Sequence, residues 1–351
     1  MKIALTYSTK AGLEKEYDKH FGSNDSGMEI PSDFFAEGDN PQTINAITES
    51  LNKNNHQVFG LEADSSVELS LSEMRPDLVF NIAEGLWGDL RESYVPFICE
   101  RLGIPYTGSD PLTLAICLNK SFTKKMLYYH QIPTADFITI SNKVYQKIPP
   151  DFFPAILKPV AEGSSKGIFN HSVIHSANEM PEKLEKMFAA YNQDILIEKF
   201  LTGREFTVAI WGNDEDIEVL PIVEINYNQL PQGALPIYSY EAKWIWDTTE
   251  KPLEIFQCPA DITPQLENKI KEITINTYRA LKIKDWCRID VRLDENRTVN
   301  IIELNPLPGI LPDPMENSCF PKAARAAGYN YDQMINNIIQ IAAKRYGLNH
   351  A

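Results

Sequence analysis

The sequence predicts a protein of α/β and α+β character built from more than one unit, and three observations carry that expectation. Its 351 residues are more than one hydrophobic core usually organises. From residue 2 to residue 107, short apolar runs alternate with helically spaced segments, the pattern of a parallel sheet flanked by helices. After residue 108, strand patterns are grouped around fewer helices, first in a small unit (108–202) and then in a larger one (203–351).

Lys2-Ile3-Ala4-Leu5-Thr6-Tyr7 opens the chain as a short buried strand. The polar stretch 9–40, rich in Gly, Asp, Asn and Ser, is too long for an ordinary strand-to-helix loop and is expected to be a functional or mobile excursion. Asn40-Pro41 reads as a cap followed by proline at the first helical position, and Ile44, Ile47 and Leu51 keep helical spacing behind it. Strands are expected at Gln57–Leu61 and Asp77–Ile82, with a helix across Ser93–Leu102. In the second unit a helix over Lys120–His130 leads to a strand holding Phe137 and Ile138, then to a strand ending at Lys158. A helix across Pro181–Ala190 and the strand Asp194–Glu198 complete it. The third unit carries strand patterns near Glu205–Trp211, Glu218–Ile225, Trp286–Leu293 and Val299–Leu304, with a helix across Pro264–Leu281. Tyr331, Met334, Ile335, Ile338, Ile339 and Ala342 lie on one face of a closing helix.

The charge balance of 33 Lys and Arg against 48 Asp and Glu leaves −15, which argues against a nucleic-acid partner. No apolar run approaches the ~20 residues of a membrane span, and no secretory leader pattern opens the chain. Cys99, Cys117, Cys258, Cys287 and Cys319 are far apart, without a CxxC pair, and suggest reduced thiols in a cytoplasmic protein.

The chemistry concentrates in two places. Phe153–Gly167 joins an apolar strand ending in Lys158 to the small-residue loop Gly163-Ser164-Ser165-Lys166-Gly167, whose exposed amides suit an anion. Far downstream, Asp290 sits in Cys287-Arg288-Ile289-Asp290-Val291, and Glu303 and Asn305 sit in Ile301-Ile302-Glu303-Leu304-Asn305-Pro306. Two apart on a strand, Glu303 and Asn305 share a face, and with Asp290 they offer the hard oxygen donors that Mg²⁺ takes. Taken singly, each reads equally as a surface lysine or an ordinary strand-end polar residue. Together they describe phosphoryl transfer, in which a lysine, a flap and a metal neutralise a polyphosphate. The loop also fits G-x-S-x-G, which would make Ser165 a hydrolase nucleophile. That arrangement needs a helix next, whereas Ile168–Ile174 has strand composition. His171 and His175 are spaced as on a zinc helix, in the same strand-like context. A non-catalytic ATP-binding module is a further alternative.

At these residues the chain resembles the ATP-grasp superfamily, and within it the D-alanine–D-alanine ligase family. The match also runs through Ile104-Pro105-Tyr106-Thr107-Gly108-Ser109, Leu118-Asn119-Lys120, Ile197-Glu198-Lys199-Phe200-Leu201-Thr202-Gly203-Arg204-Glu205, Tyr240-Glu241-Ala242-Lys243 and Pro321-Lys322-Ala323-Ala324-Arg325. The resemblance implies a three-domain ATP-grasp fold with an N-terminal parallel α/β domain, and a homodimer. It implies that ATP is the cosubstrate: Lys120 and Lys158 on its phosphates, Glu198, Lys199 and Leu201 around adenine, Glu205 on the ribose, and Gly163, Ser164 and Ser165 in the covering loop. Asp290, Glu303 and Asn305 would hold one or two Mg²⁺ ions, with Mn²⁺ as a substitute. Arg288, Ser164 and Lys243 become the catalytic candidates, and Ser318 would sit by the second substrate's carboxylate. The implied reaction joins small amino-acid or peptide substrates through an acylphosphate. Synthesis of D-alanyl-D-alanine for peptidoglycan is the leading named activity, and a different amino acid, peptide or secondary-metabolite precursor is the alternative.

Departures from the family pattern gather where substrates would bind. The family's histidine–glycine pair is Glu84-Gly85 here, and the tyrosine after the Tyr-Glu-Ala-Lys motif is Trp244, which cannot accept a hydrogen bond. The glycine-rich turn with its glutamate that holds the first amino group is missing, so Glu37 or Asp39, at the end of the 9–40 stretch, becomes the candidate amine anchor. The loop from Pro306 to Pro314, with Gly309 at its centre, is longer and richer in proline. The nucleotide half of the site reads as intact, and the substrate half does not.

Overall fold

Ile3, Ala4, Leu5 and Thr6 are buried in the first strand, β1 (Lys2–Tyr7), which runs between β2 (Gln57–Glu62) and β3 (Leu78–Asn81) in a fully parallel sheet. The computed structural model describes residues 1–21, 31–141, 148–247 and 253–348. Four helices belong to this first part: α1 (Lys10–Phe21), α2 (Pro41–Lys53), α3 (Val67–Met74) and α4 (Tyr94–Leu102). Asn40 caps α2 by accepting from the Gln42 amide, with Pro41 at the first turn, as the sequence predicts.

The 9–40 excursion is corrected in part. It begins as helix α1, which sequence periodicity misses because its buried apolar signal is little more than Leu13. Residues 31–39 then turn back toward β1, where Ser8 and Asp39 exchange backbone and side-chain hydrogen bonds. Residues 22–30 lie outside the described residues.

Two short helices, α5 (Pro111–Leu118, capped by Asp110) and α6 (Lys120–Tyr129, capped by Asn119), lead into a four-stranded antiparallel sheet. Its strands are β4 (Phe137–Ile140), β5 (Ala155–Pro159), β6 (Val173–Ile174) and β7 (Ile195–Lys199), in the order β4-β7-β5-β6. Helix α7 (Met180–Tyr191) covers one face through Leu184 and Phe188. The strand expected over Ile168–Ile174 is reduced to β6; Asn170–Ser172 form a single 3₁₀ turn, closed where the Ser172 hydroxyl accepts from the Phe169 amide.

The third sheet is also antiparallel, in the order β11-β10-β8-β12-β13, with β9 added to β8. The strands are β8 (Glu205–Trp211), β9 (Glu218–Val219), β10 (Val223–Ile225), β11 (Phe256–Gln257), β12 (Trp286–Leu293) and β13 (Val299–Asn305). The single strand expected over Glu218–Ile225 is broken between β9 and β10, where Pro221 has no amide to give to a ladder. Helices α8 (Pro264–Ala280), α9 (Cys319–Ala326) and α10 (Tyr331–Arg345) complete the chain. α3, α5 and α9 went unseen because eight residues give little room for a period to show.

Packing sets the site's walls. Ile3, Leu5 and Phe80 of the parallel sheet share one core with Trp211, Trp286, Phe320 and the inner face of α10, so the first and last parts of the chain are joined. Cys117 of α5 and Leu127 of α6 pack with Ile289 and Ile301, which brings Lys120 against the edge of β13. Among the described residues, no helix is long and apolar enough to cross a membrane.

Candidate active site

A cavity of about 770 Å³ opens between the two antiparallel sheets, the Gly163–Gly167 loop and residues 35–41. At one end, β5 and β7 pair so that Lys158 and Glu198 meet: the ammonium donates to the Glu198 carboxylate at 2.9 Å. Lys124, one helical turn beyond Lys120, reaches the other oxygen at 2.6 Å. Burial alone would raise the Glu198 pKa, but Lys124 and Lys158 hold it down at about 2. Leu201 and Phe200 line this end, and Glu205 is held by Arg292 at 2.9 Å. Lys199 does not line the cavity; its ammonium lies 4.0 Å from Glu295 on the outer surface.

In the middle of the cavity, β12 and β13 put Asp290 directly opposite Glu303, and Arg288 opposite Asn305. Residues directly opposite across two strands share a face, so both carboxylates project to the same side. Arg288 donates to Asp290 twice, at 3.1 and 2.9 Å, and Asn305 donates to the same carboxylate at 3.3 Å. Lys120 lies 2.9 Å from Glu303. Burial would raise the Glu303 pKa; Lys120, Arg288 and Lys158 lower it below the usual carboxylate range. Two carboxylates and an amide oxygen on adjacent strands fit a hard divalent cation, and the cations now beside them mark a strongly negative spot.

The glycine-serine loop is built as an anion cradle. Ser164, Ser165 and Gly167 all have positive φ (50°, 62° and 72°), which turns successive amides inward. Two amides of the loop already hold carboxylates: Gly163 donates to Glu37 at 2.9 Å, and Gly167 to Asp33 at 2.8 Å. Lys243 reaches the Ser164 hydroxyl at 3.3 Å, and its own pKa is lowered by burial and then by Arg288. The Trp244 indole donates to the Ser164 carbonyl at 3.2 Å, so a side chain that cannot accept a hydrogen bond holds the loop by giving one. Ser165 donates to the Tyr238 carbonyl at 2.8 Å. That proton faces an oxygen that cannot act as a base, and a turn follows the serine instead of a helix, so the hydrolase alternative loses its two requirements.

The substrate wall differs from the expectation. Glu37 is already satisfied: Arg91 at 3.0 Å, Lys166 at 2.8 Å and the Gly163 amide all hold it, and its pKa falls to about 2 against the effect of burial. It belongs to an ion-pair network with Glu162, which lies 2.5 Å from Lys166, and so has little attraction left for a substrate amine. Among the described residues Asp39 accepts from the Ser8 amide alone, at 2.8 Å, and burial pushes its pKa up to about 7. Glu84 lines the cavity with its pKa raised by burial and by Glu37 and Glu92. Ser318 donates to the Gly309 carbonyl at 2.9 Å and accepts from the Leu311 amide at 3.1 Å, pinning the proline-rich loop that forms the far wall. Sequence reasoning missed Lys124, Arg91, Lys166, Asp33 and Arg292. Only Lys124 left a signal, its spacing of four from Lys120 on one helix face.

Comparison with known proteins agrees with this architecture. Residues 122–340 match the family model described as the D-ala D-ala ligase C-terminus. The chain is 31% identical over 309 residues to the uncharacterized protein y4sG of Sinorhizobium fredii, covering 86% of this chain and 87% of that one. It is 31% identical over 304 residues to the D-alanine–D-alanine ligase of Aquifex aeolicus, covering 85% and 94%. The crystal structure of the D-alanine–D-alanine ligase from Bacillus anthracis complexed with ATP superposes over the full length of both chains, with a TM-score of 0.71 at 21% identity. The fold is therefore the ATP-grasp fold, with a parallel sheet at its N-terminal end. Within that class, this chain belongs to the D-alanine–D-alanine ligase family.

Proposed function

We propose that this protein is an ATP-dependent ligase that joins the carboxylate of one amino-acid substrate to the amine of a second. A carboxylate oxygen attacks the γ-phosphorus of ATP, the bond to the bridging oxygen breaks, and ADP leaves an acylphosphate behind. The second substrate's amine nitrogen then attacks the acyl carbon; the carbon–oxygen bond to phosphate breaks, and the nitrogen gives up its proton as the amide forms. The observation that carries this reading is the convergence of Lys158, Arg288, Asp290 and Glu303 on the main cavity, with Lys120 paired to Glu303 in the smaller one beside it, beneath an amide-lined loop.

Each group has a task that its position supports. Lys158 and Lys120 are charged groups aimed at a polyphosphate, and the loop amides would exchange their carboxylates for phosphate oxygens. Asp290, Glu303 and Asn305 would hold Mg²⁺, or Mn²⁺ in its place, whose contribution is to neutralise charge on the transferred phosphoryl group. Arg288 is a fixed guanidinium suited to the oxyanion of the tetrahedral intermediate, and Lys243 with Ser164 borders the same space. D-Alanine as both substrates is the leading assignment; the altered wall at Glu84 and Trp244 keeps another amino-acid or peptide pair as the second reading. Phosphate release over pairs of D- and L-amino acids, with product masses recorded, decides between them. Glu303→Gln is expected to lower turnover by at least ~100-fold while ATP still binds. Unchanged turnover would remove the metal-site assignment.

A further inference from the structure

The wall facing the metal-site strands carries more carboxylates than cations. Glu37, Glu84, Glu92 and Glu162 surround Arg91 and Lys166, four carboxylates against two cations. Glu37 and Glu162 use those cations directly, and Glu92 lies 3.8 Å from Arg91. Glu84 does not share in the pairing. Among the described residues its carboxylate accepts no hydrogen bond and has no cation within 4.0 Å. The residue is half-buried, and it lines both the main cavity and the smaller one beside it. Its position is held from behind: Arg91 donates to the Glu84 carbonyl at 3.2 Å, and Gly85 donates to the Ser8 hydroxyl at 3.3 Å. The carboxylate stands beside the first glycine of the loop, 4.0 Å from where a β-carbon on Gly163 would lie.

Asp39 faces the same cavity; among the described residues it accepts from the Ser8 amide and has no cation within 4.0 Å. The nearest cations belong to other groups. Lys243 is bonded to Ser164, and Lys120 is paired with Glu303; Lys10 is exposed at the mouth. A half-buried carboxylate that faces a cavity without a counter-ion is costly to keep ionised, and a ligand cation removes that cost. One α-ammonium can meet one of these two carboxylates and leaves the other without a cation.

We propose that one of the two substrates is a basic amino acid, whose second cationic nitrogen is held by Glu84 and Asp39. This rests on the ligase reading above and names the substrate class at the same site. A neutral side chain of the same shape would leave both carboxylates unpaired, so the site should discriminate between isosteres that differ only in that nitrogen.

Equilibrium calorimetry on the full chain with ADP and Mg²⁺ tests the proposal apart from turnover. The probes are D- and L-2,3-diaminopropionate against 2-aminobutyrate, and D- and L-ornithine against norleucine. The wild type should bind the basic member of at least one pair about tenfold or more tightly than its neutral isostere. Glu84→Gln should bring that ratio close to one, and Asp39→Asn should lower it. Preference for the neutral member in both pairs overturns the proposal, as does a ratio that Glu84→Gln leaves intact. Equal weakening of both members would make Glu84 a positioning group for Lys243 instead. If Glu84→Gln does not fold, the wild-type ratio and Asp39→Asn decide. Absence of phosphate release with every pair, while the binding preference persists, would count against the ligase reading and leave the charge assignment standing.

Discussion

Glu198 shows how one residue organises the end of the cavity proposed for ATP. It is buried between Lys124 and Lys158, both nearly inaccessible, so a single carboxylate is shared by two ammonium groups. Glu198→Gln would leave both cations enclosed without a counter-charge, and the expected loss of stability is about 3–5 kcal/mol. A urea unfolding midpoint that hardly moves would show that water reaches the pair. At this scale the sequence was informative where chemistry is carried by residue type and local spacing. Lys158, Glu198, Asp290, Glu303 and Asn305 were all legible, and all five line the cavity. Arg91 and Lys166 were not legible, because nothing near them in sequence announces that Glu37 will be their partner. The candidate amine anchors changed for the same reason. Glu37 and Asp39 look alike as sequence, yet one is saturated by cations and the other is nearly bare.

Among the elements, the loop between Lys158 and β6 decides access to the site. Gly167 has φ 72°, and a β-carbon there would lie 2.4 Å from the Pro159 ring. Gly167→Ala therefore meets both a strained backbone and a clash; a cost of about 1–3 kcal/mol and a raised KM for ATP are expected. Scanning calorimetry with an ATP titration of the rate checks both, and a variant matching wild type in each would mean the loop is not held in this conformation. The long strands and capped helices were readable in advance. Trp286–Leu293 and Glu205–Trp211 have the expected bounds, because each carries a sustained run of β-formers between turns. The strand predicted after the loop was not, since Ile168 and Phe169 owe their apolar character to contacts with Tyr240 and its neighbours instead of to a ladder.

For the whole molecule, the balance of carboxylates predicts an unusual dependence on pH. Glu37 and Glu198, with pKa values lowered from 4.5 to about 2, add stability that is present above about pH 4.5 and lost as pH falls toward 2. Asp39 and Glu92, raised to about 7, act in the other direction: the folded state loses ground as pH climbs from their unfolded values through 7. In the absence of ligands the Tm should therefore peak at about pH 4.5 and fall from there toward pH 7. A Tm that rises steadily from pH 5 to pH 8 would contradict this balance. By itself the sequence determined the succession of strands and helices, the nucleotide-side motifs and the metal-ligand candidates. Those depend on periodicity, capping and residue chemistry over short spans. Only the tertiary structure decided which carboxylates keep a free charge. Residues 31–39, the Glu84 turn and the glycine loop are separated by up to some hundred and thirty positions, as in the Glu37–Lys166 pair, and meet only after three sheets pack around one cavity. Charge compensation is a property of that meeting, because a carboxylate's attraction for a substrate depends on what already stands within a few ångströms of it.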